Sequence, residues 1–155
     1  MSKPLKFIIA LALPLIVGFA GSVFTSISVN TWFVTLNKPV FNPPAWLFAP
    51  AWTVLYILMG IAFYLLWQQG YSAKMRGAFV VYGFQLVLNL LWSLFFFGLR
   101  SPLLGFIDIV LLWLLILLNI ILFYRLKRVA AWLLVPYLLW VTFASALNLS
   151  ILILN

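Results

Sequence analysis

The sequence predicts an all-α integral membrane protein, a single domain built as a five-transmembrane-helix bundle, and three observations predict it. The first is composition: 68% of the 155 residues are hydrophobic and 6% are charged, against roughly 45–50% and 25% in soluble domains. A water-soluble domain this short buries only about two-thirds of its unfolded surface, so the surplus apolar residues must face lipid. The second is spacing: five apolar runs each approach the roughly 20 residues that a helix needs to cross a bilayer core, and Pro, Gly and charged residues separate them. The third is where the charge lies. Nine Lys and Arg against one acid, Asp108, give a net charge of +8. The basic residues sit between apolar runs, where they meet lipid phosphates, and they form no stripe suited to nucleic acid.

The runs cover about residues 7–28, 46–68, 77–97, 103–124 and 130–154. The first follows Lys3 and Lys6 and contains Gly18-Phe19-Ala20, which resembles a signal-peptide cleavage site. Its apolar stretch continues to Ile27, longer than a signal h-region, so a retained membrane helix is expected. Residues 29–45 form the only connection with room for a lid, and it carries Trp32, Lys38, Pro39, Pro43 and Pro44. In the second run Trp52, Tyr56 and Met59 share one helical face.

The third run repeats the pattern with polar groups: Gln85, Asn89 and Ser93 recur every four residues. Amides are costly in hydrocarbon, so this face should point into the bundle, either to bond neighbouring helices or to meet a ligand. Asp108, about a turn and a half into the fourth run, reads as an interfacial ion pair or a hydrogen bond to a loop in preference to a proton relay, because no His or second carboxylate accompanies it. In the fifth run Trp140, Ala144 and Asn148 share a face, with Tyr137 three residues before Trp140. A small residue framed by a ring and an amide permits close helix approach or leaves a hollow for a flat ligand. Among the eight tryptophans, Trp32, Trp46, Trp67 and Trp132 suit an interfacial belt, whereas Trp52, Trp92, Trp113 and Trp140 lie deeper. In the third run Ala78 and Gly83 are weak candidates for close helix packing.

Orientation follows from the loops. With five spans, one side of the membrane holds Lys3, Lys6, Lys74, Arg76, Arg125, Lys127 and Arg128, and the other holds Lys38 and Arg100. The positive-inside rule then puts the amino terminus in the cytoplasm and the proline-rich loop outside. The chain contains no cysteine and no histidine. That removes disulfides, thiolate nucleophiles, Ser-His pairs and zinc sites, and leaves haem iron only Tyr or Met as axial ligands. No metal and no resident cofactor are expected.

Three segments together resemble one family, the translocator proteins, also called tryptophan-rich sensory proteins or peripheral-type benzodiazepine receptors. The first is Trp32, Leu36, Lys38-Pro39, Phe41, Pro43-Pro44, Trp46, Phe48, Pro50, Trp52 and Leu55-Tyr56. The second is Gln85-Leu86, Leu88-Asn89, Trp92-Ser93 and Phe96, and the third is Pro136-Tyr137, Trp140, Phe143-Ala144 and Leu147-Asn148. Gly105 and Asp108 are similar to the family's fourth helix. The resemblance implies a five-helix bundle, often a homodimer, with a pocket capped by the first loop. It implies porphyrins and other tetrapyrroles, sterol-like lipids, and isoquinoline or benzodiazepine drugs as ligands. Transferred by motif position, the pocket would use Trp52, Asn89, Trp140 and Ala144, with Tyr56, Trp92, Phe96 and Tyr137 as wall. Animal members carry a sterol-recognition segment with Tyr and then Arg or Lys after the fifth-helix Leu-Asn. Here the chain runs Leu149-Ser150-Ile151-Leu152-Ile153-Leu154-Asn155, which points to a bacterial-type member in the cell membrane.

Three functions are compatible with these residues. The first is a binding and sensory module in which a tetrapyrrole stacks on Trp52 and Trp140, is oriented by Asn89, and pairs its propionates with Lys38 or Arg100 near the mouth. The second, implied by the resemblance, is an enzyme that degrades porphyrin in light and oxygen with Trp52 and Trp140 as oxidisable catalytic partners. The third is a tetrapyrrole or lipid transporter, disfavoured because internal repeats and broken midplane helices are not evident.

Overall fold

The computed structural model describes all of residues 1–155 and contains helices and turns but no strand. Five helices are long and apolar enough to cross a membrane. Helix α1 spans Lys3–Ser28, α2 Phe48–Trp67, α3 Ala73–Ser93, α4 Pro102–Leu126 and α5 Arg128–Leu154. Packing runs α1 against α2, α2 against α5, α5 against α4, α4 against α3, and α3 back against α1. The helices therefore close into a ring in the order α1, α2, α5, α4, α3.

Each boundary has a local cause. Ser2 caps α1, its Oγ accepting from the Leu5 N–H at 3.4 Å, and Pro4 stands in the first turn, where a missing N–H costs nothing. The α2–α3 turn passes through Gly70 at φ +93, a left-handed conformation that glycine adopts without strain. Helix α3 does not stop at Ser93 but widens into a π-helical turn, Leu94–Gly98. The extra residue in that turn rotates the chain so that the adjacent rings of Phe96 and Phe97 are both buried. Ser101 then caps α4, with Pro102 in its first turn. A single extended residue, Lys127, separates α4 from α5, which forces them to run antiparallel side by side.

Only 32 residues are buried, whereas large apolar side chains such as Phe19, Leu139 and Ile153 are 65–74% exposed. That inversion is what lipid as solvent requires. The buried core lies toward the end carrying Lys3, Lys74 and Arg128, termed here the basic end. There Tyr82 is sandwiched between Phe63, at 4.8 Å, and Phe123, at 6.1 Å, with Met59, Leu66 and Ile116 filling in. Pro14 cannot bond the Ala10 carbonyl four residues before it, and α2 closes on that carbonyl. A Cβ at Gly60 would lie 2.8 Å from Ala10 O and from Leu11 Cα, so only glycine permits this approach.

Two readings from the sequence need correction. Asp108 is turned into the bundle: it is 3% exposed, and its Oδ2 is buried without a hydrogen-bond partner, so the expected ion pair or loop bond is not made there. The α4 face around Gly105 is drawn against α5 and carries the carboxyl inward with it. Of the two small residues in α3 read as candidates for close packing, Ala78 does pack closely, buried with its carbonyl accepting from Asn119 Nδ2, whereas Gly83 does not and faces open space.

Candidate ligand-binding site

At the opposite end, where the proline-rich loop lies, the ring of helices encloses a cavity of about 730 Å³, within the range of small-molecule sites. Helix α2 contributes Trp52 and, one turn on, Tyr56, whose rings stack at 5.6 Å. Tyr56 fits because α1 offers glycine opposite it; a Cβ at Gly18 would run into the tyrosine ring. Helix α3 contributes Asn89, Trp92, Ser93 and, from the π-helical turn, Phe96. Helix α5 contributes Trp140, Ala144 and Asn148.

A chain of hydrogen bonds ties three of these helices together. Tyr56 Oη donates to Asn89 Oδ1 at 2.7 Å, and Asn89 Nδ2 donates to Tyr137 Oη at 2.8 Å. Tyr137 Oη in turn donates to Gln85 Oε1 at 2.8 Å, and Gln85 Nε2 points at Met59 Sδ, 3.8 Å away. The four-residue repeat on α3 thus bonds neighbouring helices, and its members differ in what else they reach. Gln85 is wholly buried and purely interhelical, whereas Asn89 bonds α2 and α5 and also reaches the cavity. A second anchor fixes the far wall: Trp92 Nε1 donates to Asn148 Oδ1 at 3.0 Å, while Asn148 Nδ2 donates to Pro102 O at 2.9 Å. Gly105 makes room for it, since a Cβ there would meet Phe96 at 3.0 Å and Asn148 Oδ1 at 3.1 Å.

The two deep tryptophans touch. Trp52 and Trp140 meet edge to face at 6.4 Å and 85°, and Tyr137 lies edge-on to Trp52 at 6.3 Å. The indoles therefore form a corner and not a pair of parallel plates. Trp140 Nε1 has no hydrogen-bond partner, so apolar packing holds this indole, including its ring contacts with Phe48, Trp52 and Phe143.

Among the residues the sequence singled out, Trp52, Tyr56, Asn89, Trp92, Phe96, Trp140 and Ala144 line the cavity. Tyr137 does not; it is 1% exposed and stands behind Asn89 as a support. In the loop read as a lid, Lys38 and Pro43 reach the cavity wall, joined by Val29, Asn30, Phe33, Val34, Asn42 and Ala45. Trp32 is drawn away onto Phe96, Pro39 closes a turn by accepting from the Asn42 N–H, and Pro44 leads into the short 3-10 turn before α2. Lys38 is the one charged residue of the lining; its ammonium donates to Leu36 O at 3.2 Å and rests 4.7 Å over the Phe33 ring. Arg100 lies outside the lining, in the α3–α4 turn.

Sequence reasoning missed α1. Leu15, Gly18, Phe19, Ser22 and Thr25 form a whole side of the cavity. Their one signal was the pair of glycines, Gly18 and Gly21, a turn apart in an otherwise bulky helix. No His, Cys, Asp or Glu lines the site, and no cluster of these residues exists to hold a metal ion. What the geometry provides is an aromatic corner, an anchored amide and one cation at the lid.

The model of the TspO/MBR family matches residues 10–154. The chain is 46% identical over 153 residues to a tryptophan-rich protein TspO of Archaeoglobus fulgidus, covering 97% of each chain. It is 48% identical over 152 residues to the protein of that name from Chlorobaculum tepidum, covering 97% of this chain and 96% of the relative. The translocator protein of Bos taurus is 35% identical over 138 residues, 88% of this chain and 82% of its own. A five-helix membrane chain matched from α1 to the end of α5, with these identities, belongs to the TspO/MBR family.

Proposed function

We propose that the protein is a membrane binding and sensory protein whose cavity takes a tetrapyrrole, a porphyrin or haem precursor, under the lid. The observation that carries this reading is the corner made by Trp52 and Trp140 in a cavity of about 730 Å³ whose only charged lining residue, Lys38, is a cation. A flat apolar macrocycle with acidic side arms has the matching shape and charge: indole faces cover its body, Asn89 orients it, and Lys38 meets a propionate. Sterol-like lipids and isoquinoline or benzodiazepine drugs, which the family resemblance brings, would use the same apolar walls without the cation. Under this proposal the chain resides in a bacterial cell membrane with its amino terminus in the cytoplasm and acts as a homodimer. The exposed α3 stripe of Val80, Phe84 and Val87 beside Gly83 is apolar surface available for the second copy.

The test is a dark titration of the purified protein with protoporphyrin, followed by tryptophan quenching, in wild type, Trp52→Phe, Trp140→Phe and Asn89→Ala. Saturable binding weakened by these changes is expected. Binding that is absent, or indifferent to all three, would remove the tetrapyrrole from this site.

A second reading is favoured by the contact between rings. Trp52 touches Trp140, Tyr56 and Tyr137, so a photo-excited porphyrin in the corner would meet a cluster of oxidisable side chains. Light- and oxygen-dependent pigment loss that requires both tryptophans would support degradation; pigment loss in the dark would count against it. Transport would instead require porphyrin flux across sealed vesicles.

A further inference from the structure

The lid is held unevenly along its length. Its first half, which lines the cavity with Val29, Asn30, Phe33 and Val34, lies on an apolar seat: Trp32 packs on Phe96 at 5.6 Å and Phe33 on Phe97 at 5.5 Å, and just before it, at the end of α1, Ser28 Oγ donates to Phe97 O at 2.7 Å. Its second half carries Lys38, Asn42 and Pro43 to the cavity, yet Val40 is fully exposed and Trp46 is 71% exposed. Apart from the edge contact of Phe41 with Phe143 at 6.2 Å, little apolar surface holds that half down.

At the boundary between the halves stands Asn37. Its backbone N–H donates to Asn155 Oδ1 at 3.0 Å, and its backbone carbonyl accepts from Asn155 Nδ2 at 2.9 Å. Its own side chain donates to Leu154 O at 3.3 Å, one of the carbonyls that the end of α5 leaves without a helical partner. Asn155 Nδ2 also donates to Ile151 O at 2.8 Å, which fixes the asparagine to the last turn of α5. One side-chain amide thus reads both backbone groups of a loop residue, as a neighbouring strand would. The helix it is fixed to is the one that presents Trp140 and Ala144 to the cavity.

We infer that Asn37 and Asn155 form a latch that holds the lid shut over the cavity and sets the rate at which a bound guest leaves. The inference rests on the reading of the cavity as a ligand site. Residues 39–46 are the part that swings, because the apolar seat keeps residues 29–36 in place when the latch opens, and Lys38 stays with them through Leu36 O and the Phe33 ring. Asn155→Ala removes both bonds to the Asn37 backbone; Asn37→Ala removes only the bond to Leu154 O and should have a smaller effect. Asn155→Asp keeps the acceptor for the Asn37 N–H but sets a carboxylate oxygen against the Asn37 and Ile151 carbonyls, so it should loosen the lid at least as much as Asn155→Ala.

Two measurements on the full chain in lipid nanodiscs test the latch. The first is hydrogen exchange at the Asn37 amide and across residues 39–46 without ligand, where Asn155→Ala should accelerate exchange about tenfold, the effect of losing two ordinary hydrogen bonds. The second is stopped-flow dissociation of protoporphyrin, where the same variant should release the guest about tenfold faster, with a correspondingly faster association. Unchanged exchange in Asn155→Ala would overturn the latch. Faster exchange with unchanged dissociation would overturn its control of release and send the guest out between helices instead. If wild-type protein binds no protoporphyrin, the tetrapyrrole reading fails, and exchange at Asn37 still decides whether the pair holds the lid.

Discussion

The two ends of the bundle are built from similar residues and reach opposite results. At the basic end, Phe63, Tyr82 and Phe123 stack face to face with Met59 and Leu66 around them, and the interior is filled. At the lid end, Trp52, Trp92 and Trp140 stand around an open cavity, each only partly buried. The difference lies in what faces each ring. Gly60 lets α2 settle onto the α1 backbone, which draws the basic end together. At the lid end the small positions are Gly18, Gly21 and Ala144; Tyr56 lies against Gly18, and hydrogen bonds hold the rings at the wall, Tyr56 to Asn89 and Trp92 to Asn148. A cavity inside a membrane bundle thus persists when hydrogen bonds hold the walls apart, because no water-driven collapse exists there to close it.

The comparison breaks most sharply at the basic end. Phe123→Ala should cost about 3 kcal/mol of stability, since the ring is fully buried against Tyr82 and its removal leaves a hole. Denaturation in mixed micelles, followed by tryptophan fluorescence, measures it. Protoporphyrin affinity of the protein that remains folded should stay within about twofold, because Phe123 is remote from the cavity lining. The converse holds at the lid end: Trp140→Phe should weaken protoporphyrin binding about tenfold by removing part of the corner, while stability moves by less than about 1 kcal/mol, because the lost indole N–H bonds nothing. Equal effects on stability and binding in both variants would dissolve the distinction between a filled end and a hollow one.

Much of this was legible in the sequence because lipid imposes simple rules. Apolar runs of about 20 residues mark the spans, and a four-residue repeat marks which face of α3 and α5 turns inward. What was not legible depends on tertiary detail. The π-helical turn at Leu94–Gly98 has no periodic signature, yet it buries Phe96 and Phe97 side by side and makes the seat for the lid. The contribution of α1 was hidden because Leu15 and Phe19 look the same whether they meet lipid or a cavity. Tyr137 shares the inward face of Trp140, and periodicity could not tell a wall residue from one supporting the wall. Asp108 was misjudged by depth, because depth along a helix says nothing about which way the carboxyl turns.

Asn89 sharpens the comparison because it belongs to both functions, wall and support. Asn89→Ala strands the Tyr56 hydroxyl and removes one partner of Tyr137. The stability loss should be about 1 kcal/mol, near the average for an interhelical hydrogen bond in lipid. Protoporphyrin affinity should fall along with it. Gln85→Ala removes the other partner of Tyr137 from a residue that does not touch the cavity. It should match the stability loss and leave affinity nearly unchanged. If both variants weaken binding equally, the network acts as one unit and the amide of Asn89 has no separate part in holding the guest.

The smallest expected effect isolates charge from shape. Lys38 is already supported by the Leu36 carbonyl and the Phe33 ring, so its ammonium is held at the cavity before any ligand arrives. Partly exposed ion pairs are worth about 0.2–1 kcal/mol, so Lys38→Ala should weaken protoporphyrin binding by no more than about fivefold. The loss should shrink as salt is raised. The dimethyl ester of protoporphyrin, which keeps the ring and removes the carboxylates, should bind wild type and Lys38→Ala alike. Arg100→Ala should leave both ligands unaffected, because that residue lies outside the cavity lining. A Lys38→Ala penalty that persists with the ester would mean that the side chain acts through the packing of the lid and not through its charge.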